Sequence, residues 1–388
     1  MKSKWRYNIR LAARKGVSVR AAGPGDLAAF NQLMHDTGAR DGFTVHAPDY
    51  YNAAYHLFVP DAATYLLAEF DGQPLASIVV FVQGQMAWYL WGASSDRERN
   101  RMPNHALQWA AIQWARARGA TRYDLWGIPD AIGKIAVGMQ GDGVGAPVDD
   151  LPINVQELPG GELWGVYRFK QGFGGRVVRY VGAWDKPLGA LSYQLYTVGM
   201  SLREQSSEWR NLDLAQAAGR LRKSATTMPK GLQPVTQAAA WRTALAHLPE
   251  PHVLQSWEWG EVKHQFDWQA ERYVSVDRQG APQAAFQFLT RQPLPQLPMR
   301  IGYIPKGPVV DWTDDEAVDI TLRRVEACAR AHGCVFVKID PNVAVDSVAG
   351  LRLQHTLFRR GWTLSPEQIQ IKNTAITDLT GDEETRLA

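Results

Sequence analysis

The chain has 388 residues, 45% hydrophobic and 21% charged, enough material for two globular domains with separate cores. Net charge is only +3 but uneven, with seven Lys or Arg and no acid in residues 1–20 and four acids in 378–384, so a local basic face says more than the total. No run approaches the roughly 20 apolar residues of a membrane span, no apolar signal region follows Met1, and Cys328 and Cys334 read as reduced thiols, so a cytoplasmic protein is expected.

In chain order, MKSKWRYNIRLAARKG predicts a helix without an N-cap, closing on a basic turn and Gly16. Lys2, Arg6, Arg10 and Arg14 recur at i,i+4 on one face, with Trp5, Ile9 and Ala12 on another. A hairpin turning at Asp71-Gly72 follows, then a strand MAWYLWGASS, a helix from Asn104 to Arg118, Gly119 and a strand TRYDLWG. Residues 168–173, RFKQGF, read as a loop or as an alternating strand. Ser206 to Gln237 reads as a helix and a turn-rich linker. A second unit repeats the first: a hairpin at Gln279-Gly280, RIGYIPKGPVV, a helix from Asp314 to His332, Gly333 and a strand VFVKID. In each unit a helix crosses between neighbouring parallel strands, which predicts an α/β fold of two mixed-sheet domains with flanking helices.

The chain closes on Thr380-Gly381-Asp382-Glu383-Glu384-Thr385-Arg386-Leu387-Ala388, a capping box with an acidic first turn and no helix after it. Joined tail to head, the two ends make one capped helix. The expectation is therefore a two-domain protein with its halves in reversed order, termini adjacent, and an older start at Met228. The expected division gives 1–182, completed by 377–388, to the second domain and 183–205 to a segment returning to the other. It gives 206–237 to a helix and linker, and 238–376 to the first domain.

The runs MKSKWRYNIRLAARKGV and GVYRFKQGFGG (165–175) resemble the Fem family of peptidoglycan interpeptide-bridge aminoacyltransferases, of the FemX type. HVLQSWEWGEVK, GYIPKGPVV, VKIDP and FRRGWTLSPEQIQIKNTAITDL extend the likeness over most of the chain. The resemblance implies two acyltransferase domains of the GNAT class, here without a coiled-coil arm. It also implies that the side-chain amine of a diamino acid, in a peptidoglycan stem peptide, attacks the ester of an aminoacyl-tRNA. The implied partners are aminoacyl-tRNA, a UDP-MurNAc-pentapeptide or lipid-linked precursor, and a peripheral membrane surface, met by a monomer. Two alternatives are a GNAT-like enzyme acting on another amine and a non-catalytic precursor- or tRNA-binding module.

No cofactor is expected. Coenzyme A needs a glycine-rich turn at a helix N-terminus, and the corresponding stretches, Arg97 to Asn104 and Asp311 to Asp315, hold no glycine; the second is acidic. The histidines form no metal-like pair and no GxSxG context appears. The resemblance makes Lys170 the cation at the reacting ester and Phe169 a platform for the terminal adenosine; Asp340, before Pro341 at the end of a strand, is a candidate to orient the amine, with a cis or turn-forming Asp-Pro as the alternative role. The same resemblance assigns precursor contacts to Lys263 and Arg40, with Tyr89 a further candidate, and puts Thr44 where relatives carry a tyrosine. Arg6, Arg10, Arg14, Arg168 and Arg176 are the candidates for tRNA phosphates, a mainly electrostatic mode of binding.

Overall fold

A computed structural model describes residues 1–139, 144–151, 164–205, 228–277, 279–293 and 299–381. The expected helix at 206–227 and the helix start at 382–388 lie outside the described residues. The chain divides into two compact units, Met1–Arg179 with Ile371–Ala388, and Tyr180–Gln370.

Unit 1 runs α1 (Ser3–Arg14), β1 (Ser18–Ala21), α2 (Leu27–Asp41), α3 (Pro48–Phe58), β2 (Ala63–Phe70), β3 (Gln73–Gln83) and β4 (Met86–Ser94). It continues with α4 (Pro103–Ala117), β5 (Arg122–Gly127), α5 (Asp130–Gly138), β6 (Ala146–Pro147), α6 (Trp164–Gln171) and β7 (Arg176–Arg179). Unit 2 runs β8 (Trp184–Pro187), α7 (Ala190–Gln205), β9 (Leu232–Pro234), α8 (Ala238–Ala246), α9 (Trp257–His264), β10 (Gln269–Val276) and β11 (Pro282–Arg291). Then come β12 (Arg300–Ile304), β13 (Val309–Val310), α10 (Asp315–Ala331), β14 (Cys334–Ile339), α11 (Val348–Arg359) and β15 (Thr363–Leu364); the chain ends its described course as β16 (Asn373–Asp378).

The sheet of unit 1 has the order β1-β2-β3-β4-β5-β16-β7-β6, and that of unit 2 β15-β8-β14-β12-β11-β10-β9, with β13 on β11. Both contain the expected hairpin, strand, helix, parallel strand. At the first turn Asp71 and Gly72 take φ of 48° and 71°, the doubly positive pair a tight hairpin uses. β4 then runs parallel to β5 across α4, and β12 parallel to β14 across α10. In α10 the Asp314 carboxylate caps the Glu316 and Ala317 amides, both at 3.0 Å. One assignment is corrected. The strand 373–378, placed by sequence in the domain ending at 376, lies between β5 and β7 of unit 1.

Periodicity explains the cores. Ile9 and Ala12 of α1 are buried with Leu107 and Ile112 of α4 and with Val80, Tyr123 and Leu125 of the sheet. In unit 2, Leu322 and Val325 of α10 pack with Phe286, Phe288 and Val337. Each such side chain, fully buried, contributes roughly 1.5–3 kcal/mol. Among the described residues, no helix is long and apolar enough to cross a membrane.

Candidate active site where two parallel strands part

β4 and β5 pair only from Met86 to Trp88 against Arg122 to Asp124. β5 pairs with β16 along its other edge from Arg122 to Gly127, which lies opposite Thr374, while beyond Trp88 β4 is paired with β3. A bulge sets Val79 opposite Trp91 and Val80 opposite Tyr89, so Leu90 is the extra residue and Tyr89 falls at the parting.

Lys170 enters there from the last turn of α6. The expected loop or strand is a helix, because Tyr167, Lys170 and Gln171 share a buried face that alternation at RFKQGF conceals. The Lys170 side chain is 5% exposed and its Nζ donates to the Gly127 carbonyl at 2.6 Å. The Tyr89 ring centre lies 5.7 Å from Nζ. Loss of water lowers the amine's pKa to about 7, against the pull of Asp124, which favours the ammonium. At the place where a cation was expected, burial disfavours the charged form of the amine and Asp124 favours it. Burial likewise lifts the Tyr89 hydroxyl to about 12.

The carbonyl facing Lys170 is aimed by its neighbours. Trp126 has φ of 62°, a left-handed conformation that costs a non-glycine residue roughly 1–2 kcal/mol. Its amide donates to Asp124 Oδ1 at 2.6 Å, and the Thr374 hydroxyl donates to the same oxygen. Asp124 is 1% exposed. The buried carboxylate thus offsets the strain at Trp126 and holds the turn at Gly127.

Phe169 is half-buried, with His105 at 5.1 Å and Phe173 at 5.2 Å between ring centres. Its carbonyl accepts from Trp5 Nε1 at 3.0 Å, tying α1 to α6. Burial lowers the His105 pKa to about 4, so its ring is neutral and meets Asn8 at 3.1 Å. The glycines after Lys170 allow close approach within the unit. A Cβ on Gly172 would lie 2.0 Å from the Trp5 ring, and one on Gly175 2.2 Å from the Ile376 carbonyl.

The basic residues fare differently. Arg10, Arg14 and Arg168 are exposed. Arg6 donates to the Met1 carbonyl at 2.8 Å, and Arg14 lies over the Tyr7 ring at 5.4 Å. Arg176, expected on phosphates, is instead occupied by the Val144 and Gly145 carbonyls at 2.9 and 2.5 Å. Arg40 stands at the far end of β4, donating to the Ser94 carbonyl at 2.6 Å and pairing with Asp41 and Asp96. Thr44 is exposed just beyond α2.

In unit 2, Lys263 ends α9 with Nζ 5.5 Å from the Trp259 ring centre, and desolvation lowers its pKa to about 8. Asp340 follows β14 and is 1% exposed, 3.5 Å from Lys306 Nζ. Burial raises its carboxyl above the usual range, opposed by Lys306. The peptide to Pro341, for which a cis form was considered, is trans. Unit 1 therefore gathers Lys170, Phe169 and Tyr89, while Lys263 and Asp340 belong to unit 2. Asp124, Trp126 and His105 were missed; the sign available was an acid inside the apolar strand TRYDLWG.

At α10 the N-terminal amides are taken by Asp314. At α4 the first turn begins with Pro103, and Arg101 before it is held by Glu98 and the Lys15 carbonyl, both at 2.6 Å. These residues do not fit a pyrophosphate.

The FemAB family profile matches residues 68–199 and 244–351, more than half of the chain. The chain belongs to the FemAB family. A profile for the acetyltransferase (GNAT) domain matches residues 2–132, which in this FemAB chain runs from α1 through β5. A lipid II:glycine glycyltransferase of Staphylococcus aureus is 34% identical over 138 residues, 34% of this chain and 32% of that enzyme. The FemAB chain thus spans about a third of the relative's length. A solved FemX structure aligns with a TM-score of 0.34 at 20% identity, over 42% of this chain and 52% of that one. A tandem GNAT protein from the clavulanic acid biosynthesis pathway aligns with a TM-score of 0.41 at 12% identity, over 95% and 100%.

Proposed function

We propose that the protein is an aminoacyltransferase that moves an amino acid from aminoacyl-tRNA to the side-chain amine of the diamino acid in a peptidoglycan precursor. The observation that carries this reading is Lys170, a buried amine with a pKa of about 7 at the parting of β4 and β5 in a FemAB chain. The acceptor amine, neutral when it attacks, adds its lone pair to the ester carbonyl carbon. A C–N bond forms, the carbonyl oxygen becomes an oxyanion, and the C–O bond to ribose breaks as the oxyanion collapses. The proton lost by the amine ends on the ribose oxygen. Lys170 as ammonium stabilises the oxyanion and supplies a proton to the leaving oxygen, and its low pKa lets it pass that proton on near neutral pH. Phe169 borders the tRNA end, and Arg40, Tyr89 and Lys263 serve the precursor. Arg6, Arg10, Arg14 and Arg168 meet tRNA phosphates.

The test is transfer of radiolabelled glycine, alanine or serine from charged tRNA to UDP-MurNAc-pentapeptide and to lipid-linked precursor. Label in the acceptor supports the reading. No transfer to either acceptor from any of the three overturns it.

A further inference from the structure

The last turn of α9 and the β10–β11 pair bring two cations of unit 2 together. Lys263 lies in that turn, and its carbonyl accepts from the Trp268 amide at 3.3 Å, so the chain folds back on the helix end before it enters β10. Gln269 of β10 stands opposite Thr290 of β11, which makes Trp268 and Arg291 the next cross-strand neighbours. The Arg291 guanidinium accordingly lies over the Trp268 ring, 4.5 Å from its centre. Lys263 has its own indole, that of Trp259, and both cations are half-buried.

Nothing in the chain neutralises Arg291. Its Nε is buried without a hydrogen-bond partner, and among the described residues no ion pair reaches the guanidinium. The nearby acids are engaged or apart: Glu261 pairs with Arg272 at 2.8 Å, Glu258 with Arg242, and exposed Asp267 with neither Lys263 nor Arg291. Gln292 to Met299, which follow, contain no acid. Repulsion from Arg291 adds to the desolvation that lowers the Lys263 pKa. Two like charges side by side, one with a dry donor, burden the free protein, and a bound dianion would relieve both.

We propose that Arg291 and Lys263 form a diphosphate-binding site in unit 2, with Arg291, held flat by Trp268, forked on one phosphate and Lys263 on the other. A planar guanidinium presents paired donors that match phosphate oxygens, whereas an ammonium acts as a point charge. The pair suits a diphosphate better than RNA, because a diphosphate joins its two charged groups at one bridging oxygen while a strand spaces its phosphates along the backbone. The ligand is the diphosphate of a nucleotide-linked or lipid-linked precursor, so this assignment rests on the reading of Lys263 given above; Arg291 and Trp268 are new to it.

The full-length protein is titrated calorimetrically with inorganic pyrophosphate, UDP-MurNAc-pentapeptide, uridine and uncharged tRNA. Wild type should bind the first two and not uridine. Arg291→Gln should weaken both by about thirtyfold, and Arg291→Lys, which keeps the charge and loses the fork, by about fivefold. Wild-type affinity for the precursor should fall as pH rises through about 8, where Lys263 loses its proton. In Arg291→Gln that fall should move to higher pH, because the repulsion is gone; a purely structural arginine would leave it in place. Circular dichroism verifies folding, and if Arg291→Gln does not fold, Arg291→Lys and the contrast of pyrophosphate with uridine decide. Equal affinity of folded variant and wild type, absence of wild-type binding to both diphosphates, or equal binding of uridine overturns the proposal. So does a variant that loses tRNA alone, which identifies an RNA phosphate as the occupant. Arg291-dependent binding in a protein that transfers no label leaves the site standing and counts against aminoacyl transfer. Transfer with the acceptor KM unchanged in Arg291→Gln counts against the site alone.

Discussion

Replacing Lys170 with methionine should make the protein more stable while removing its transfer activity. The ordinary lysine value is 10.5, and burial brings Lys170 to about 7. Between those values the unfolded chain holds a proton that the folded chain has released, so wild-type stability rises with pH from about 7 to about 10.5. The charge penalty approaches about 5 kcal/mol in acid and is about 4 at pH 7.5 and about 2 at pH 9. Methionine has no such penalty but leaves the Gly127 carbonyl without its donor, at a cost of roughly 2 kcal/mol. The variant should therefore gain about 2 kcal/mol at pH 7.5, break even near pH 9 and be less stable above it. Urea unfolding of both proteins at several pH values measures this, and tRNA-dependent transfer measures activity. A variant less stable at pH 7.5, or a difference that does not move with pH, refutes the account of burial. Activity within about threefold of wild type, about 0.65 kcal/mol, refutes the catalytic role.

Asp124→Asn removes a charge that favours the Lys170 ammonium, so the alkaline limb of kcat/KM should move down by about one pH unit. A limb that stays in place would separate Asp124 from Lys170. Gly172→Ala would put a Cβ 2.0 Å from the Trp5 ring and should cost about 1–3 kcal/mol in urea unfolding. A loss under about 0.5 kcal/mol, the range of ordinary surface substitutions, would show that α1 yields freely at α6.

Features that depend on local chemistry were legible in the sequence. Asp71-Gly72 marked its hairpin because few residues tolerate two successive positive φ angles, and Asp314 marked the start of α10 because its carboxylate reaches amides two and three residues on. The placement of β16 was not legible, since NTAITD alternates equally well for a strand of either sheet. Nor was the burial of Lys170. Its partner carbonyl is 43 residues away, and only the assembled sheet encloses the amine. Asp124 was hidden for a related reason: the amide it stabilises belongs to a turn whose need arises only where β4 and β5 separate.

The position of β16 bears on how the protein is made. Its partners β5 and β7 are both synthesised before Tyr180, yet the strand that joins them is made only after Gln370. Until residues 373–378 are made, the edges of β5 and β7 that β16 pairs lack that partner. Strand edges left open in this way invite pairing with other chains. The second unit is contiguous and needs nothing from downstream. A nascent chain halted near Gln370 would thus carry the second unit and a first unit still lacking the neighbour of β5, the strand whose Gly127 carbonyl accepts from Lys170.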